Sequence, residues 1–73
     1  MKRVPVVSSH IASVGYEEGI LEVEFKNGTV GQYLGVPQWT YDSLMADESK
    51  GSFLHKFVRN THPYVQISPP RPK

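Results

Sequence analysis

Seventy-three residues, no cysteine and a net charge of +1 describe one small domain held by apolar packing, with neither a disulfide nor a thiolate-bound zinc available to it. A chain of this length buries only about 60–65% of its unfolded surface, which sets net stability at roughly 4–11 kcal/mol. Met1-Lys2-Arg3 opens like a secretory leader, but Val4-Pro5-Val6-Val7 gives way at once to Ser8-Ser9-His10, and no apolar run approaches the roughly 18–20 residues of a membrane helix. A cytoplasmic protein with no membrane partner is the expectation.

In chain order, Ile11 to Tyr16 reads as a strand, joined through Glu17-Glu18-Gly19 to the alternating run Ile20-Leu21-Glu22-Val23-Glu24-Phe25. If Glu18-Gly19 is the turn, Ala12, Val14 and Tyr16 share the core face; a three-residue loop would reverse that. Asn27-Gly28 is the preferred pair of a two-residue type I′ hairpin. Such a hairpin sets Phe25 against Val30, Glu22 against Tyr33 and Leu21 against Leu34. Leu21, Val23, Phe25, Val30 and Leu34 then face the core, and Glu22, Glu24, Gly31 and Tyr33 face water.

Gly35-Val36-Pro37 ends the sheet, and Pro37 suits the first turn of a helix over Gln38 to Ala46 with Tyr41, Leu44 and Met45 as its apolar stripe. Ser49 is the expected N-cap of a second helix reaching about Asn60, with the pairs Phe53/Phe57 and Leu54/Val58 buried and His55, Lys56 and Arg59 outside. His62-Pro63 breaks that helix. Tyr64 to Ile67 returns as a short edge strand, and residues 68–73 form an extended proline-rich tail.

Catalytic and metal chemistry find poor material here. Neighbouring strand residues such as Ser9 and His10 point to opposite faces, so they make no dyad. His10, His55 and His62 lack metal-ligand spacing. Glu22 and Glu24 lie about 7 Å apart on one face, read more simply as solubilising strand residues. None of the six glycines forms a phosphate loop. A non-enzymatic chain without cofactor is the expectation.

Charge gives a better lead. All seven acids fall between residues 17 and 48, where Lys26 is the lone cation, whereas Lys50, Lys56, Arg59, Arg71 and Lys73 follow with no acid among them. Lys56 and Arg59, with His55 beside them and Lys50 at the helix start, suit successive phosphates, and an exposed Tyr33 suits a stacked base. The plainer reading is a solvated helix face and a tyrosine that merely covers the sheet. Trp39 becomes of interest if exposed. Pro69-Pro70-Arg71-Pro72 matches a Pro-x-x-Pro docking ligand, although short matches are common by chance and an inert tail is expected.

The order of Ser8-Ser9-His10-Ile11, Val14-Gly15-Tyr16, Leu21–Phe25 with Asn27-Gly28, Tyr33, Gly35-Val36-Pro37, Tyr41, Leu44, Ser49-Lys50-Gly51 and Phe53–Arg59 resembles the KTSC domain, also found at the C-terminus of some lysyl-tRNA synthetases. The resemblance runs from about Val7 to Ile67. The family's Tyr-x-Tyr mark reads Gly31-Gln32-Tyr33 here, keeping its second tyrosine and losing its first. The resemblance implies the fold and suggests RNA as partner, with the missing tyrosine weakening that transfer.

These readings combine into an α+β domain: a three- to four-stranded antiparallel meander with two short helices on one face, core about residues 7–67. Two functions stay open. One is an RNA-binding module, tRNA-like RNA included, using Tyr33, Lys50, His55, Lys56 and Arg59. The other is a protein-interaction module or small phage-type regulator using Trp39 and Tyr33. A monomer or weak homodimer, paired along a strand edge, accompanies either.

Overall fold

The computed structural model describes residues 1–69. In them β1 (Val4–Pro5), β2 (Ile11–Glu17), β3 (Ile20–Phe25), β4 (Val30–Tyr33) and β5 (Tyr64–Ser68) form one antiparallel sheet in chain order. Between β4 and β5 run α1 (Gln38–Ala46) and α2 (Lys50–Phe53), the latter continuing directly into a π-helical segment, Leu54–Val58. The meander and the two helical stretches are as the sequence indicates; β1 is an addition. The proline-rich match falls mostly beyond Pro69, outside the described residues.

Two turns determine which side chains the sheet buries. Glu18 and Gly19 both take positive φ, 48° and 81°, so this is the type I′ turn, and Glu17 pairs with Ile20 across it. Tyr16, paired with Leu21, and Val14, paired with Val23, therefore join the core face as expected. Ala12 does not: a bulge between Ile11 and Ser13 pairs Ile11 with Phe25 and puts Ile11, fully buried, where Ala12 was expected.

The Asn-Gly hairpin is the principal correction. Phe25 pairs with Thr29 (Phe25 N–H to Thr29 C=O, 2.8 Å), the Gly28 N–H donates to the Phe25 carbonyl at 2.9 Å, and only Gly28, at φ 95°, is left-handed. This is a three-residue loop, a type I turn closed by a glycine bulge, in which Asn27 Oδ1 accepts the Thr29 N–H at 2.9 Å. The extra loop residue moves β4 by one position, pairing Leu21 with Tyr33, Val23 with Gly31 and Glu24 with Val30. A slip of one residue exchanges faces. Tyr33 is consequently buried, at 4% exposure, while Val30 leaves the core face and Leu34 is only half-buried.

The helices cover the core face. Leu44, Leu54 and Val58 are buried there against Val14, Leu21 and Val23, with Tyr41 and Met45 partly buried alongside. Tyr16 fastens α1 to the sheet: its ring stacks on Tyr41 at 4.9 Å, and its hydroxyl donates to the Val36 carbonyl. Pro37 stands one place earlier than expected, at the N-cap, its carbonyl accepting the Thr40 N–H at 3.1 Å. Ser49 holds the second N-cap position without a hydroxyl cap bond. The π segment is marked by the Arg59 N–H reaching back five residues to the Leu54 carbonyl at 2.8 Å.

The opposite face is polar and partly covered. Arg3 Nη1 pairs with Glu22 Oε2 at 2.8 Å, and the Gln32 amide donates to Glu22 Oε1 at 2.9 Å. The Ser13 hydroxyl donates to Glu24 at 2.8 Å. Glu22, only 9% exposed, is thus a bonded residue of a cross-strand network rather than a solubilising one. The N-terminal residues lie over Gly15, where any added Cβ would strike the Lys2 carbonyl oxygen at 2.8 Å.

Candidate functional site

The π segment has two flanks, and each borders a depression. On one side a cleft of about 710 Å³ opens between this helix and the β4–β5 edge, lined by Tyr33 and Tyr64 on the sheet, His55, Lys56 and Arg59 on the helix, and His10 at the mouth. The volume falls within the roughly 300–1,000 Å³ typical of small-ligand sites. No aspartate or glutamate lines it.

Burial places each cleft residue by a simple rule. Leu54 and Val58 point into the core, which turns His55, Lys56 and Arg59 outward at the rim, all exposed. The Arg59 guanidinium lies 3.4 Å from His55 Nδ1, so the two heads are held together. Ser8 Oγ accepts the backbone N–H groups of His10 and Ile11 at 3.4 and 3.3 Å, which shapes the approach to β2 and presents the His10 ring. Tyr33 packs against Tyr64 with ring centroids 5.0 Å apart and planes at 50°. Burial pushes the Tyr33 phenol above its ordinary 10.0; Tyr64 adds to the rise, and the Arg59 charge opposes it.

The cleft therefore gathers Tyr33, His55, Lys56 and Arg59 as the charge and aromatic pattern suggested. It does so with Tyr33 in a different role: its ring face is sealed and cannot stack an unpaired base. The exposed aromatic is Tyr64, 42% exposed, which the sequence marked only as an edge-strand residue. The clue was Gly31. A Cβ there would collide with the Tyr64 ring, so Tyr64 occupies the space left by the side chain that Gly31 lacks. Lys50 stands apart, its Nζ donating to the Asp47 carbonyl at 2.8 Å and absent from the cleft lining.

On the other flank a smaller groove of about 350 Å³ runs between α1 and the π segment, lined by Pro37, Trp39, Phe53, Phe57 and His62 among others. Trp39 is 71% exposed and Phe57 is 57% exposed, although the helical spacing suggested a buried Phe57. Phe53 meets Phe57 at 4.9 Å. Trp39 and Tyr33 thus lie in separate depressions, so the expected single protein contact through both does not assemble. Among the described residues no three His, Asp or Glu side chains converge as a cation site requires, and no helix is long and apolar enough to cross a membrane.

The KTSC domain model matches residues 7–64. An uncharacterized protein of Stutzerimonas stutzeri is 38% identical over 64 residues, covering 85% of this chain and 90% of its own length. A lysine–tRNA ligase of Trichormus variabilis is 38% identical over 48 residues, 66% of this chain but only 9% of the ligase. The crystal structure of a KTSC domain protein from Yersinia pestis aligns with a TM-score of 0.84 at 36% identity, covering 92% of this chain and 97% of that one.

Proposed function

The chain belongs to the KTSC domain family, and from that premise we propose that it is a non-catalytic module that binds single-stranded RNA in the cleft beside the π segment. One observation carries the reading: two fixed cations, two histidines and an exposed tyrosine ring border one cleft that no carboxylate lines. Arg59 and Lys56 take phosphates. His10 and His55 donate to phosphate or ribose oxygens, and Tyr64 stacks a base, a contact worth about 1–3 kcal/mol. Tyr33 serves as the wall that holds Tyr64 in place. The same sequence pattern within a lysine–tRNA ligase is consistent with an RNA partner.

A short single-stranded oligoribonucleotide titrated at several salt concentrations tests this. Two phosphate contacts predict a slope of about −1.4 in log K against log salt, from about −0.7 per contact. The Lys56→Glu, Arg59→Glu double variant flattens the slope and abolishes measurable binding, whereas Trp39→Ala leaves both unchanged. Binding that ignores the double substitution removes the cleft from consideration.

A further inference from the structure

The groove between α1 and the π segment is chemically unlike the cleft, and its features select one kind of ligand. Its walls are aromatic and prolyl, from Pro37, Trp39, Phe53 and Phe57, and no lysine or arginine lines it. Asp42, exposed, stands three residues along α1 from Trp39 and so beside it on the helix surface. Flat, solvent-facing aromatic rings with no charge suit proline rings, whose fixed backbone loses little freedom on docking. A neighbouring carboxylate favours a basic residue in the same segment.

The chain carries such a segment. Pro69-Pro70-Arg71-Pro72 combines prolines spaced three apart with an arginine, followed by Lys73. We propose that this groove receives the C-terminal proline-rich segment of a second copy, prolines against Trp39 and Phe57 and Arg71 against Asp42, joining copies head to tail.

Its own tail is excluded by reach. Thr61 and His62 border the groove immediately before β5, whereas the tail leaves from the far end of that strand, after Ser68. Five strand residues span about 17 Å at 3.3 Å per residue. Residues 69–73 cover about the same distance only when fully extended, which leaves no proline to lie in the groove after the return. A second copy meets no such restriction. A head-to-tail contact is heterologous, so association continues beyond the dimer.

Trp39 is the one tryptophan in the chain, so its emission reports on the groove directly. The probe is a peptide of the sequence Ile67–Lys73, titrated into the full chain. The expected result is a saturable shift of Trp39 emission to shorter wavelength. The shift disappears with Pro69→Ala and Pro72→Ala in the peptide, and with Phe57→Ala in the protein. In parallel, the mean mass of the full chain rises with concentration by sedimentation, and that of a chain ending at Ser68 does not. An unchanged emission overturns the proposal, as does self-association of the chain ending at Ser68 to the same degree. A shift of Trp39 emission by oligoribonucleotide instead of peptide assigns the groove to nucleic acid and overturns it as well.

Discussion

Replacing Gly31 by alanine sets two effects of similar size against each other. The new Cβ meets the Tyr64 ring atoms Cε1, Cζ and Oη first, which are the far end of a side chain already 42% exposed, so the ring swings outward while the strand stays. The lost contact between Tyr33 and Tyr64 costs about 0.5–1.5 kcal/mol. Alanine in place of glycine within a strand returns about 0.5–1 kcal/mol. The balance is within about 1 kcal/mol, a change in Tm of no more than about 8 °C for a domain of this size. The ring movement should show elsewhere. With Tyr64 gone from its side, Tyr33 loses both some burial and its second source of upward shift, so its phenol titrates closer to 10.0. Ultraviolet absorbance of tyrosinate, together with urea unfolding of Gly31→Ala, measures both. A loss above about 2 kcal/mol, or an unmoved Tyr33 titration, would refute the assignment of Tyr64 as the group filling this space.

Three further outcomes follow from the packing. Leu44→Ala empties a fully buried position and costs about 2–5 kcal/mol, a large part of a net stability near 4–11 kcal/mol, read as a lowered urea midpoint. Glu18→Asn replaces a glutamate held at φ 48° by a residue that tolerates this region, raising stability by up to about 1 kcal/mol in the same assay. Tyr33 keeps its proton in the folded state where the unfolded chain releases it, so its contribution is full below pH 10.0 and is lost as pH rises through the folded value. Stability measured across that alkaline range falls less steeply in Tyr33→Phe than in the unaltered chain.

Much of the layout was written in local pattern. The alternation of Ile20–Phe25, the proline before α1 and the pairing of Leu54 with Val58 each located an element correctly. Register was harder, because it depends on one loop residue. Asn27-Gly28 looked like the two-residue turn, yet Asn27 uses its side chain to cap Thr29 and leaves only Gly28 left-handed. Glu18, with no intrinsic preference for that region, took the tighter turn instead. The short strand β1 rests on the Arg3 pairing with Glu22 across nineteen residues, a contact no local pattern announces. For the same reason the cationic helix face was legible but its aromatic partner was not: Tyr64 reaches the cleft through the pairing of β5 with β4, and the exposure of Phe57 follows from its place on the flank away from the core.

The most direct test of the cleft is a map of backbone amide shifts in the labelled protein as a short oligouridylate is added. The account predicts that the largest shifts fall on residues 51–59, Tyr33, Tyr64 and His10, with the Trp39 indole unmoved. Shifts confined to the Glu22–Gln32 face or to the Trp39 groove, or none at all, would contradict it.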